Sequence, residues 1–263
     1  MKYSYKYIKD SLPKKKNGRS SLWVRWFIRK LSFPFTYIFI NTGWSANQVS
    51  ILSWVIIFVA SVALCFNNFW AMFTGVVLTN LWLVLDCVDG NIARCKKIKT
   101  FMGDFFDAIA GYGPFAFTTI ALGMAAFNTT QILSDDYKWI WILVGGVGSM
   151  SNIYTRLIHQ KYLTCYFAAN NIIGDTDAIT LKDTEDKRSF AYIREQIDKN
   201  IGVSGLFMPW LFIALFTDTF DIMLCFYSLY YILSFIAIIY LYCKKASNFE
   251  IEAQNKLKLE EAE

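Results

Sequence analysis

Apolar residues gather in six runs along the chain: Val49 to Phe66, Phe69 to Leu85, Ala108 to Phe127, Trp139 to Tyr154, Gly202 to Phe216 and Ile222 to Cys243. A helix needs about 20 residues to cross a bilayer. The pattern therefore predicts an all-α integral membrane protein with six transmembrane helices. The second, fourth and fifth runs reach full length only by continuing into their flanks, and the fifth contains Pro209. Ahead of the runs, Ser21 to Ser32 sets Leu22, Trp23, Trp26, Phe27 and Leu31 against Arg25, Arg29 and Lys30. This is the signature of an amphipathic helix lying in the headgroup plane, ended by Pro34. The chain thus divides into a basic tail with interfacial helix (1–45), a six-helix membrane domain (46–245) and a charged tail (246–263). A polar stretch at 160–200 interrupts the domain, and Asp186 to Lys199 within it reads as an amphipathic surface helix.

Composition and charge sharpen this. Of 263 residues 55% are hydrophobic and 18% charged, with mean hydropathy +0.33, whereas a soluble domain carries about 25% charge. An ordinary soluble enzyme, a disordered chain and a secreted mini-protein are excluded. The first 20 residues are polar and basic, without the short apolar stretch and small-residue cleavage site of a signal peptide. If the six runs cross the membrane, 25 of the 26 Lys and Arg fall on one side; only Lys138 falls on the other, with Asp135, Asp136, Asp218 and Asp221. The positive-inside rule then puts both termini in the cytoplasm of a multi-pass cell-membrane protein. Membrane lipids, not nucleic acid, are the expected surroundings.

Several chemistries find no support. Cys65, Cys87, Cys95, Cys165, Cys225 and Cys243 include no CxxC pair, and most lie in apolar runs, so neither disulfides nor a zinc site is expected. His159, the single histidine, reads as a satisfied residue near a span end. No phosphate-cradling glycine loop is present. Trp70, Trp139 and Trp141 read as belt residues, and Gly145, Gly146 and Gly148 as close helix packing.

Chemistry concentrates where the second run ends. At 100° per residue, Asp86, Asp89, Gly90, Ala93 and Arg94 fall within an arc of about 140° on one helical face. Paired carboxylates beside small residues suit a hard divalent cation that shares its coordination with substrate phosphates, usually Mg2+. Asp107 opens the third run, with Gly103 and Gly111 on its stripe and Asp104 close to it. A hairpin through the Lys96 to Phe101 loop brings Asp107 opposite Asp86 and Asp89. Three clustered carboxylates at membrane depth repel one another unless a cation neutralises them. Their position near one end of the spans, and the lack of an inverted repeat, argue against a transporter.

These residues resemble the CDP-alcohol phosphatidyltransferase family, whose signature reads DxxDGxxAR, eight residues, then GxxxDxxxD. Here Asp86, Asp89, Gly90, Ala93 and Arg94 are followed after eight residues by Gly103 and then Asp107. Asn47, Gln48, Val49 and Ser50 are similar to the family's Pro-Asn-x-(apolar)-Thr entry, with Ala46 for Pro and Ser50 for Thr. The likeness covers roughly residues 20 to 245. It implies transfer of a phospho-alcohol unit from a CDP-linked donor to a hydroxyl, with release of CMP. Two divalent metals, Mg2+ or Mn2+, would be held by Asp86, Asp89 and Asp107. Asn47, Gly90, Ala93 and Gly103 would shape the substrate site, Arg94 would contact phosphate or the acidic cluster, and family members are commonly homodimers. Arg156, past the fourth run, is a candidate for an acceptor phosphate or anionic lipid.

The fourth aspartate of the signature, the family's favoured general base, is replaced by Gly111. Three readings follow: Asp104 supplies the carboxylate, the acceptor needs no protein base, or the protein is a catalytically silent CDP-alcohol or nucleotide-lipid binder. The acceptor, a lipid of phospholipid biosynthesis, a polyol or an envelope glycan, is not legible, although the stretch around Asp175 to Arg194 is placed to shape its choice.

Overall fold

The computed structural model describes residues 3–13, 20–130, 132–169 and 190–260. Among them the chain is all helical. A short α1 (Tyr5–Asp10) is followed by a π-helical segment, Val24–Ile28, that runs directly into α2 (Arg29–Asn41). Then come α3 (Ala46–Leu64), α4 (Phe69–Lys96), α5 (Phe101–Thr129), α6 (Trp139–Ala169), α7 (Phe190–Ile201), α8 (Phe207–Thr217) and α9 (Phe220–Glu260). Four helices, α3, α4, α5 and α9, are long and apolar enough to cross a membrane, and the chain is on that ground a multi-pass membrane protein.

The other two predicted spans differ from expectation for separate reasons. Helix α6 has 31 residues, ample length, but its glycines, serines and Asn152 dilute its apolar character. Helix α8 has 11 residues, about 16 Å at 1.5 Å per residue, roughly half a hydrocarbon core. Its C-terminal end meets the start of α4, where the Phe69 and Phe216 rings lie 6.0 Å apart.

The remaining length of α4 is covered by α2. Trp23 Nε1 donates to Asn80 Oδ1 at 3.2 Å, and further along Asn91 Nδ2 donates to Ser32 Oγ and Thr36 Oγ1. Helix α2 and its π-helical start thus run parallel to α4. Pro34 does not end the helix but lies inside it. Arg29, expected on the polar face, is buried against the protein. Leu22, Trp26, Phe27 and Leu31 are exposed, while Val24, Ile28, Arg29, Ser32 and Thr36 are buried. Hydrophobic periodicity assumes that apolar residues seek the protein interior; in lipid the apolar face turns outward and small polar residues mediate helix contact.

Helix starts follow local chemistry. Ser45 and Gln48 form a reciprocal capping box on α3, Asn68 caps α4 and Thr100 caps α5, each satisfying N–H groups at a helix start. At the other end of α4, Lys97 takes a left-handed conformation (φ 52°) and turns the chain towards α5.

Helix α3 packs along both α4 and α5, which touch each other little, so it separates the arms of the α4–α5 hairpin. Helix α6 packs against α5 and α9. There Gly145 lets two backbones meet: a Cβ on it would lie 2.8 Å from the Thr119 carbonyl oxygen and 3.1 Å from Gly123 Cα. Gly148 similarly faces Ser228, whereas Gly146 faces open space. Trp70 and Trp139 are exposed, as belt residues would be, but Trp141 is buried. His159 Nδ1 is hydrogen-bonded to Tyr242 Oη, joining α6 to α9. All six cysteines are free. Of the predicted surface helix, 190–199 lies in α7; 186–189 and most of the 175–194 stretch fall outside the described residues.

Candidate active site at the ends of three helices

Three helix ends converge where α3 begins, α4 finishes and α5 begins. Asp89 is buried, 4% exposed, and accepts a 2.7 Å hydrogen bond on Oδ2 from Ser50 Oγ of α3. Asp86, one turn earlier and half-buried, and the exposed Asp107 on α5 both act electrostatically on the Asp89 carboxylate. Asp86 and Asp107 are therefore both near enough to Asp89 for their charges to act on it, with α3 as an intermediary that the two-helix hairpin did not anticipate. Asp104 is exposed in the first turn of α5.

The small residues stand where close approach is needed. Gly90 and Ala93 are half-buried beside Asp86 and Asp89. A Cβ on Gly103 would come 3.7 Å from Asn47 Oδ1, so the first turn of α3 places Asn47 against the first turn of α5. At Gly111 a Cβ would meet no heavy atom within 4 Å: the position is open, and glycine there is not enforced by crowding.

The Arg94 guanidinium folds back over Gly90, 3.3 Å from where a Cβ would be, and its Nη2 donates to Asn91 Oδ1. Asn91, fully buried, thus uses its amide to hold α2 and its oxygen to hold Arg94. Arg156 is exposed on α6, with its guanidinium carbon 3.4 Å from the Phe115 ring centroid. Phe115 is one turn beyond Gly111, so Arg156 meets α5 one turn past that position.

Four contributors escape motif reading. Ser50 was visible only as a pattern position, yet it supplies the hydrogen bond to Asp89. Asn91, Ser32 and Thr36 form a polar ladder between α2 and α4; its signal is an amide inside an apolar helix, opposite hydroxyls spaced i, i+4.

The carboxylate cluster offers oxygen donors only, which suits a hard divalent cation. Among the described residues no group of three or more His, Cys, Asp or Glu side chains is placed so that it could hold a metal ion.

Fold and site define a helical multi-pass membrane protein with clustered carboxylates at the ends of two long apolar helices. Residues 44–172, a segment that contains α3 to α6, match the CDP-alcohol phosphatidyltransferase family. No curated protein matches the chain.

Proposed function

We propose that the protein transfers a phospho-alcohol group from a CDP-linked donor to a hydroxyl acceptor, releasing CMP, in a divalent-metal-dependent reaction. The observation that carries this reading is the coincidence of the family segment with the junction where Ser50 holds the buried Asp89 between Asp86 and Asp107. In the reaction the acceptor oxygen bonds to the alcohol-bearing phosphorus. The bond from that phosphorus to the CMP oxygen breaks, and the hydroxyl proton leaves for a base or for water.

Asp86, Asp89 and Asp107 would hold one or two Mg2+ or Mn2+ ions, which when bound neutralise the diphosphate and stabilise charge on departing CMP. Ser50 and the Gly90 backbone N–H hold the Asp89 carboxylate in place. Gly90 and Ala93 leave room for the nucleotide. Asn47 and Gly103 bring the starts of α3 and α5 together, and Arg94 offers a guanidinium to phosphate. Arg156, beyond Gly111, is suited to an anionic acceptor, and Asp104, two turns before position 111 and close to its stripe, is the carboxylate of α5 not assigned to the metal. The charge asymmetry supports a cytoplasmic site and cytoplasmic termini, with α6 and an α7–α8 unit completing six crossings. A homodimer in the membrane and a role in phospholipid or envelope-glycan synthesis belong to the same proposal.

A second reading, a silent CDP-alcohol binder, is favoured by Gly111, which leaves position 111 without a carboxylate. Metal-dependent CMP release by the purified protein, measured across a panel of CDP-alcohols with a lipid extract as acceptor, separates the two. Release that disappears in Asp89→Asn supports the transferase. CDP binding without release supports the silent binder, and an Asp89→Asn variant with full binding and turnover overturns the site.

A further inference from the structure

The end of α4 is completed by a part of the chain that the carboxylate site does not include. A helix leaves its last four carbonyl groups without intrahelical donors. On α4 the turn at Lys97 satisfies two of them: Ile98 N–H donates to the Ala93 carbonyl and Lys97 N–H to that of Arg94, each at 3.1 Å. The Cys95 carbonyl instead accepts from Tyr7 Oη of α1 at 3.3 Å, across 88 residues of sequence. The same short helix holds the Cys95 side chain. Ser11 Oγ donates its own proton to the Ile8 carbonyl and stands 3.4 Å from Cys95 Sγ, which leaves the thiol as the donor in that contact. Cys95 is buried, and so is Ile8, between Tyr7 and Ser11.

The other end of this segment is pinned to α2. Tyr3 N–H donates to Asn41 Oδ1 at 3.2 Å, and Asn41 Nδ2 donates back to the Tyr3 carbonyl at 3.1 Å. Asn41 is the last residue of α2. Residues 3–11 therefore bridge the ends of α2 and α4. A helix of six residues does not hold itself together in water; these contacts hold it. What it secures is the turn that carries Arg94, whose backbone immediately precedes Cys95 and whose guanidinium lies over Gly90. Helix ends open at little cost, and a side chain on a final turn is placed only as well as that turn is wound.

We propose that α1 is a clasp that keeps the last turn of α4 wound, and that Tyr7 is a positioning residue that acts through Cys95 on Arg94. The inference rests on the proposed function for what Arg94 contacts, the CDP-linked donor. The segment ahead of the interfacial helix, which the sequence presents as a basic tail, then tunes donor affinity without touching the donor.

The test compares the full wild-type chain, purified in detergent with Mg2+, with Tyr7→Phe, which keeps the ring and loses the hydroxyl. One readout is the rate of Cys95 alkylation by a maleimide, resolved from the other cysteines by peptide mass. The second is the Kd for CDP by calorimetry, with KM and kcat for CMP release from a CDP-alcohol alongside. In Tyr7→Phe, alkylation of Cys95 should quicken, and Kd and KM should rise about three- to tenfold, as expected for loss of one hydrogen bond. The kcat and the thermal midpoint should hold. Tyr5→Phe, whose ring is exposed on the same helix, should match the wild type in both readouts. A merely structural role would lower the midpoint and leave Kd and KM alone. Unchanged alkylation, or unchanged CDP affinity, in Tyr7→Phe overturns the proposal. A wild type that binds CDP but releases no CMP refutes the proposed reaction, and Kd still decides the clasp; a wild type that binds no CDP overturns both.

Discussion

Replacing Asn91 with alanine tests whether a single amide couples the amino-terminal helix to the helix that carries Asp86 and Asp89. Its Nδ2 donates to Ser32 Oγ at 3.2 Å and Thr36 Oγ1 at 3.0 Å, while its oxygen accepts from Arg94. Interhelical hydrogen bonds in membrane proteins average about 0.6 kcal/mol each, so the two hydroxyl contacts together contribute about 1.2 kcal/mol. The bond from charged Arg94 is worth about 1.5–3 kcal/mol. Neither hydroxyl lacks other work, since Ser32 donates to the Arg29 carbonyl and Thr36 to that of Ser32; little extra penalty arises from them. Asn91→Ala should therefore lower stability by about 3–4 kcal/mol, read as the midpoint shift in reversible SDS unfolding from mixed micelles. The double variant Ser32→Ala/Thr36→Val, which spares the Arg94 bond, should cost about 1–2 kcal/mol by the same contacts. CMP release should fall further in Asn91→Ala than in the double variant, because only the former frees Arg94. A loss under about 1 kcal/mol in Asn91→Ala, or equal losses in both, would refute the idea that this amide carries the coupling.

Other substitutions probe the site and the packing. Ser50→Ala removes the hydrogen bond to Asp89 and should weaken metal dependence or turnover about 10–100-fold, measured as the metal concentration giving half-maximal CMP release; an unchanged titration would exclude Ser50 from the site. Gly111→Asp enters open space, so thermal stability should hold while CMP release rises or shifts acceptor; reduced release with intact folding would contradict a base role for that position. Gly145→Ala forces a Cβ against the Thr119 carbonyl and should cost about 1–3 kcal/mol. Gly146→Ala, facing no neighbour within 4 Å, should be nearly neutral, and equal effects in detergent unfolding would contradict the α5–α6 contact.

The carboxylates and their small neighbours were legible because spacing on one helix is enough to define a face. The intervention of α3 was not, because Ser50 and Asp89 are 39 residues apart in sequence and nothing local records their meeting. Helix boundaries followed capping chemistry at Ser45, Asn68 and Thr100. The stripe of Leu, Trp and Phe in the amino-terminal helix was legible, but the burial of Arg29, Ser32 and Thr36 on its other side was not, because small polar residues that mediate helix contact in lipid read as solvent-facing. Pro34 misled for a related reason: a proline in the middle of a helix is tolerated where neighbouring helices and hydroxyls satisfy the freed backbone. The length of α8 was hidden by apolar residues on both sides of a turn, at Gly202 and Gly205, that composition alone reads through.

Helix α8 covers only the first part of α4, and the segment leading into α2 takes over from there, with Ser21 Oγ bonded to the Ser204 carbonyl across 183 residues. This has a consequence for the order of assembly. The Ser32, Thr36 and Asn91 ladder can form once α4 has been made, but the seat for the start of the amino-terminal helix exists only after the chain has passed residue 204. Until then Ser21, Trp23 and the buried arginine behind them are held by α4 alone. The loop closure that completes the contact is among the longest in the chain, and long closures come late. A truncation after α6 should consequently preserve the ladder and expose the first turn, to be read as protease sensitivity near Arg25 in the truncated chain and protection in the full one.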